Sequence, residues 1–339
     1  MRIALDAMGG DHGPEELIGG ALLAVKQTGL DVILVGNQQI LRAHLDRLGS
    51  GNIRLSHIHI VHAAEVVEMG ESPVDAIRKK KDASVLVAFE LVRQGQADAA
   101  VSAGNSGATM AAAVRKLGRM EHVSRPGIAS IFPTLKKPVV MMDVGANVDC
   151  RPQHLFQFAV MASAFSHIFD IDHPRIGILS IGEEVGKGNI LVKETYARLA
   201  ASSLNFVGNV EGRDVFQGDV DVIVCDGFVG NICLKISEGL AGAAMQMLKD
   251  EIMKSTLAKI GYFLARPAFR SFAKRVDYAE YGGAPLLGVN GIGIICHGKS
   301  SAEAIKNAIL EAAKMVEKQV NQKIAAGLAL SAQDEEVVV

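Results

Sequence analysis

At 339 residues the chain is long enough to bury a sizeable core with neither disulfides nor metals to staple it. Hydrophobic residues make up 49% of it while aromatics make up 5%, with no Trp, so the core must be built from Ala, Val, Ile and Leu, as in parallel sheets covered by helices. A formal net charge of −2 excludes a general attraction to nucleic acid, and any basic binding surface must be local.

Met1-Arg-Ile-Ala-Leu-Asp starts directly as a strand, without the charged and apolar regions of a signal peptide, and no apolar run reaches the ~18 residues of a spanning helix. The expectation is a protein that stays in the cytosol. Strand Ile3 to Leu5 runs into Asp6-Ala-Met-Gly-Gly-Asp-His-Gly-Pro14, with Pro14 placed as a first helical residue and Glu15 and Glu16 in the first turn. Val32 to Val35 and Ile58 to Val61 follow. Ala99 to Ser102 then leads into Ser102-Ala-Gly-Asn-Ser-Gly-Ala-Thr109, and Val139 to Met142 into Asp143-Val-Gly-Ala-Asn147. Ile176 to Ser180 leads into Ile181-Gly-Glu-Glu-Val-Gly-Lys-Gly-Asn189, and Val220 to Cys225 into Asp226-Gly-Phe-Val-Gly-Asn231. Stretches of helical period separate most of these runs. Repeated βα winding predicts an α/β fold with a mostly parallel sheet, helices on both faces and ligands beyond the carboxyl ends of the strands. The polar residues after Gly327 read as a frayed tail over 328–339.

Each strand-end loop pairs Gly with Asn, Ser or Asp. Such repetition fits one polar cleft floored by backbone N–H groups, with Asp6, Gly10, Asp11, His12, Asp143, Asn147, Glu183, Asn189 and Asp226 along it, although turns demand small residues for geometric reasons alone. Gly104, Asn105, Ser106 and Gly107 open a helix whose N-terminus suits a phosphate; as a plain βα turn, Ser106 would serve only as its cap. Lys187 lies among glycines beside Glu183 and Glu184, either reaching a substrate or facing water. Asn231 follows Gly230, where an amide could polarise a carbonyl or merely cap a helix. His12, beside Asp11, fits a proton shuttle or an anion ligand.

Gly293-Ile-Ile-Cys-His-Gly-Lys-Ser300 matches the literal phosphate-binding loop of nucleotide hydrolases. Its apolar interior reads instead as a continuing strand, which leaves Lys299 and Ser300 as an anion site or as a solvated lysine and a helix cap. Cys150, Cys225, Cys233 and Cys296 lack the spacing of a zinc or redox pair, and His57, His59 and His62 show no ligand spacing with nearby acids, so neither a metal nor a cofactor is expected.

The segment 252–276 carries Lys254, Lys259, Arg266, Arg270, Lys274 and Arg275 without an acid, interleaved with Leu257, Ile260, Phe263, Leu264 and Phe269. Gly261 and Pro267 would break it into two short helices, a basic apolar hairpin suited to an anionic membrane surface, an acidic partner or a second copy. Arg78, Lys79, Lys80 and Lys81 form a second basic cluster that would suit an acidic carrier protein, or stand solvated.

Taken together, these loops closely resemble the acyl-carrier-protein:phosphate acyltransferase family of bacterial phospholipid synthesis. The likeness spans nearly the whole chain and adds Val210-Glu-Gly-Arg-Asp214, Gly283-Ala-Pro-Leu-Leu-Gly-Val-Asn-Gly291 and His297-Gly-Lys-Ser-Ser301. It implies a three-layer α/β/α fold like isopropylmalate dehydrogenase and phosphotransacetylase, with two intertwined lobes over 1–327 and a homodimer. It also implies acyl carrier protein and inorganic phosphate as substrates, peripheral contact with the inner face of the cell membrane through the hairpin, and a membrane-bound glycerol-phosphate acyltransferase downstream. Phosphate would attack the thioester directly, with Lys187 and Asn231 stabilising developing charge. Two other classes stay open on residues alone: a dehydrogenase of the same fold, disfavoured by the absence of G-x-G-x-x-G, and a membrane scaffold, which leaves the polar loops unexplained.

Overall fold

The computed structural model describes residues 1–48, 55–276 and 282–337, with side chains placed for all of these but 273–276 and 332–337. Its strands are β1 (Arg2–Asp6), β2 (Asp31–Gly36), β3 (Ile58–His62), β4 (Ala99–Ser102), β5 (Gly127–Phe132), β6 (Val139–Met142), β7 (Ile176–Leu179), β8 (Phe206–Val210), β9 (Val222–Val224), β10 (Ala284–Leu287) and β11 (Ile292–Ile295). The helices are α1 (Pro14–Thr28), α2 (Gln38–Leu48), α3 (Pro73–Lys79), α4 (Ser84–Arg93), α5 (Ser106–Leu117), α6 (Pro152–Phe165), α7 (Ile190–Ala200), α8 (Gly227–Lys254), α9 (Thr256–Leu264), α10 (Arg266–Val276), α11 (Ala302–Glu317) and α12 (Val320–Val337).

All described strands join one sheet, ordered β3-β2-β1-β4-β11-β10-β5-β6-β9-β7-β8. Pairing is parallel on both wings, and antiparallel only at the centre, where β10 meets β11 and β5, and β5 meets β6. The expected mostly parallel α/β fold is therefore present, and all seven predicted runs are strands. The sequence reading omits β5, β8 and β10. Pro285 argues against a central strand because it lacks an N–H, yet it sits in β10 opposite Ile294.

Side-chain alternation divides the core. Ile3 and Leu5 of β1 join Ile292 and Ile294 of β11, Val140 and Met142 of β6 and Ile176 and Ile178 of β7 in one continuous cluster, which α1, α6 and α11 cover. The opposite face carries two clusters. Ala4 and Ala100 pack with α4 and α5 in one, and Met141, Ile223 and Leu179 with Cys233 and Leu234 of α8 in the other. Ile128 touches both, so the floor between α5 and α8 is where helical cover is interrupted. Only Gly227 and Gly230 of α8 are buried, because its first turn seats directly on the β6 loop. A Cβ at Gly230 would stand 1.9 Å from the Asp143 carbonyl oxygen.

Two expectations are revised. The basic segment breaks at Ser255, which caps α9, and at Ala265, not at Gly261 or Pro267, which lie inside α9 and at the second position of α10. The residues after Gly327 continue α12 to Val337, and 338–339 of the expected tail lie outside the described residues. Val320, Ile324 and Leu328 repeat every fourth residue as a buried stripe that holds the helix to the body. No helix among the described residues is long and apolar enough to cross a membrane.

Candidate active site

The loops after β1, β4 and β11 interlock at one strand edge. A Cβ on Gly9 would stand 2.8 Å from the Gly104 nitrogen, and Gly10, at φ 90°, lies against the Gly298 carbonyl. The Asp11 amide donates to that same carbonyl at 2.7 Å. Beneath them the Ser102 hydroxyl donates to Asp6 at 2.8 Å and accepts from the Gly104 amide at 3.2 Å. Asp6 is buried, and burial pushes its carboxyl above the usual range against the hydrogen bonds that favour its charge. It braces two loops and is not among the residues that line the cavities described below. Asp11 and His12 are exposed beyond it.

A second brace sits after β6. Asp143 is fully buried and accepts from the Ile128, Gly145, Ala146 and Asn147 amides and from Asn147 Nδ2 at 2.7 to 3.3 Å. Burial outweighs these donors and raises its pKa. Asn147 also donates to the Pro126 carbonyl at 2.8 Å, so both residues shape the loop from within. Asp226 caps α8 by accepting from the Phe228 and Val229 amides, which places Asn231 one turn inside the helix and frees it from capping.

Between α5 and α8, on the uncovered floor, lies a cavity of about 290 Å³. Ser106 lines it from the start of α5, Ser300 and His297 from the β11 loop, and Asn231, Lys235 and Glu238 from α8. The fold thus gathers three of the expected site residues, Ser106, Ser300 and Asn231. Asn105, not Ser106, is the α5 cap: its Oδ1 accepts from the Ala108 amide at 3.0 Å while its Nδ2 donates to the Met69 carbonyl at 2.9 Å. Ser106 is left facing the cavity at the positive end of α5. Gly107 packs where a Cβ would meet the Pro73 ring at 2.7 Å.

Other expected residues lie elsewhere. Lys187 and Lys299 are exposed and line no part of this cavity. Glu183 is 3.4 Å from Arg213. Asn189, the α7 cap, lines with Asp226 a separate cavity of about 430 Å³ beside α7. Lys80 is held 2.6 Å from Glu71 and from the Val66 carbonyl, which leaves Arg78, Lys79 and Lys81 exposed in the basic cluster. Phe269 packs against Tyr262 within the hairpin, ring centroids 5.0 Å apart and planes tilted by 48°, while Leu257, Ile260, Phe263 and Leu264 stand out. The side chains of Lys274 and Arg275 lie outside the described residues.

Lys235, Glu238 and His297 escaped the sequence reading. The first two follow Asn231 at i+4 and i+7, the spacing of one helix face, and Lys235 Nζ is 2.9 Å from Glu238. His297 Nδ1 accepts from the Lys299 amide at 3.1 Å, so a neutral ring carries its proton on Nε2. Burial pushes the Cys150 thiol up to about 11 and Cys296 higher still, and neither is a thiolate nucleophile near neutral pH. The arrangement can seat an anion at a helix N-terminus, polarise a carbonyl across from it and deliver a proton.

Comparison with solved structures gives the fold. A phosphotransacetylase from Streptococcus pyogenes superposes with a TM-score of 0.64 at 19% identity, covering 94% of both chains. A 4-hydroxythreonine-4-phosphate dehydrogenase from Klebsiella pneumoniae superposes at 0.57 with 16% identity, covering 93% of this chain and 99% of that one. Curated sequences are far nearer. A phosphate acyltransferase of Pelotomaculum thermopropionicum is 54% identical over 325 residues, 96% of this chain and 94% of its own length. One of Trichlorobacter lovleyi is 55% identical over 326 residues, again 96% and 94%. The family described as fatty acid synthesis protein matches residues 1–323, so the chain belongs to that family, and its likeness to phosphate acyltransferases bears out the resemblance carried by the loops.

Proposed function

We propose that the chain transfers a fatty acyl group from acyl carrier protein to inorganic phosphate, releasing free carrier protein and an acyl phosphate for phospholipid synthesis. The observation that carries the reading is the convergence of Ser106, Ser300, Asn231, Lys235 and His297 on one cavity at the α5 N-terminus. Phosphate is already anionic near neutral pH and needs no enzyme nucleophile. Seated by Ser106, Ser300 and the first amides of α5, one of its oxygens attacks the thioester carbonyl. Asn231 and Lys235 face the oxyanion, and His297 Nε2–H supplies a proton to the departing sulfur. Lys299, exposed on the β11 loop, and Lys187, exposed on the loop after β7, are assigned as further cations for phosphate and thiolate, and a Lys187→Ala enzyme with wild-type kcat would remove Lys187 from that role. Holding the two reactants in register supplies roughly 7–11 kcal/mol of the barrier.

We read residues 1–327 as one catalytic unit of two lobes. Phe228, Ile232, Ile236, Leu240 and Met247 are all exposed on α8, which supports pairing with a second copy. Exposed Leu257, Ile260, Phe263 and Leu264 beside Lys259, Arg266 and Arg270 support peripheral contact with the inner face of the cell membrane, where a glycerol-phosphate acyltransferase would take the product. Arg78, Lys79 and Lys81 support docking of the acidic carrier. The test is release of carrier thiol from acyl carrier protein by purified protein, with and without phosphate. Phosphate-dependent release matched by acyl phosphate is expected; release that ignores phosphate, or none, refutes the reading.

A further inference from the structure

A second cavity, of about 300 Å³, adjoins the polar one. Ile131, Leu234 and Glu238 line both. Away from this shared wall it is bounded by Phe132, Phe216, Ala241 and Phe272, so it runs between the end of β5, α8 and the α10 arm of the hairpin. Asn231 and Ala241 are ten residues apart on α8, about 15 Å along its axis. The polar side chains on its walls are engaged locally. Thr134 donates to the Lys137 carbonyl at 2.6 Å, Ser237 to the Cys233 carbonyl at 2.7 Å, and Glu238 accepts from Lys235 at 2.9 Å. No lysine or arginine lines it among the described residues. What remains is an apolar sleeve that opens from the site of carbonyl chemistry.

We propose that this sleeve holds the acyl chain of the substrate, with the chain running along α8 from Asn231 toward Ala241 and Phe272, and that the bulk at position 241 sets the longest chain accepted. The inference rests on the acyl-transfer reading for its occupant but not for its geometry. A polar headgroup or an acidic peptide would find no cation among the described residues that line it, whereas an aliphatic chain needs only walls and a continuous path from its carbonyl. Phe272 also joins the sleeve to the hairpin, so a chain drawn from a lipid surface and one presented by a carrier would meet the same wall.

Filling the sleeve tests it in two ways. Wild-type and Ala241→Trp proteins are assayed for phosphate-dependent thiol release from octanoyl and palmitoyl carrier protein, with Ala241→Ser as the size-matched control. The ratio of palmitoyl to octanoyl kcat/KM should fall on the order of tenfold in A241W, the worth of about two buried methylenes, and stay near wild type in A241S. An unchanged ratio, or equal loss on both substrates, overturns the assignment. Separately, a fluorescent long-chain fatty acid should bind the wild type and A241S and be lost from A241W. Binding that is absent from the wild type, or untouched by A241W, also overturns it. A protein that turns over neither thioester yet shows the expected binding pattern would refute the reaction and leave the sleeve standing.

Discussion

Ser102 and Asp6 are joined across 96 residues by a hydrogen bond of 2.8 Å, hydroxyl to buried carboxyl, beneath the two loops that meet at Gly9 and Gly104. The contact fixes the height of the α5 N-terminus, and hence of Ser106, relative to the β1 loop. Ser102→Ala leaves Asp6 short of a donor in a dry setting, a loss of about 1–3 kcal/mol. Urea denaturation should show a lowered midpoint at unchanged slope. The KM for phosphate should rise as well, because the amides that would seat it lose their support.

Asn231 and His297 approach the same cavity from α8 and from the β11 loop, and their roles separate kinetically. Asn231→Ala removes a donor to developing charge and should lower kcat by about a hundredfold or more, roughly 3 kcal/mol, with little change in KM for phosphate. His297→Ala removes the proposed proton source, so its deficit should shrink on a thioester whose thiol leaves readily. Equal deficits on poor and good leaving groups would show that His297 does not protonate the sulfur.

The sheet was legible in the sequence because each βα unit repeats one pattern, apolar run followed by small polar loop. Its centre was not. β10 holds Pro285, and β8 holds Gly208 and Asn209, residues that local propensity sets against strands and that neighbouring strands override. The same split governs the site. Ser106, Ser300 and Asn231 could be read from loop chemistry, since a helix start after a glycine-rich turn attracts anions whatever surrounds it. Asp6 and Asp143 could not be told from ligand-facing acids, because only the fold decides whether a carboxylate spends its lone pairs on its own loop. Lys235 and Glu238 carry no motif and become site residues only through the placement of α8.

Glu311 of α11 is buried, and no described residue meets hydrogen-bond geometry with either carboxylate oxygen. It lies close enough to add to the rise that burial causes in the pKa of Cys296, just past β11. Burial lifts its own pKa well above the usual 4.5, and the nearby Gly283 amide and Lys314 offset only part of that. Between 4.5 and the higher folded value the unfolded chain binds fewer protons at this group than the folded one, so the contribution of Glu311 to stability is fully present below pH 4.5 and is lost as pH rises toward that value, by about 1.4 kcal/mol per unit. Glu311→Gln keeps the shape and removes the titration. Thermal melts taken from about pH 5 to about pH 8 should find the variant gaining on the wild type as pH rises. A constant difference would place the ionised carboxylate in the folded state.

On α9, Leu257 is 80% exposed, Phe263 70% and Leu264 75%, in a segment where Lys259, Arg266 and Arg270 are the charged neighbours. Leaving three large apolar side chains in water costs the folded monomer the stabilisation that burial would give, about 1.5 kcal/mol or more for each. An interfacial site recovers it, and the cations add attraction to anionic headgroups that salt screens. The double substitution Leu257→Glu with Phe263→Glu should therefore weaken co-sedimentation with anionic vesicles on the order of a hundredfold, from roughly 3 kcal/mol of lost burial. Raised salt should weaken wild-type binding to anionic vesicles and leave its binding to neutral ones, where only the apolar contribution operates. Should the variant sediment like the wild type while a change on α8, such as Ile236→Glu, abolishes a dimer seen by light scattering, the exposed apolar surface of the arm belongs to protein association and not to lipid.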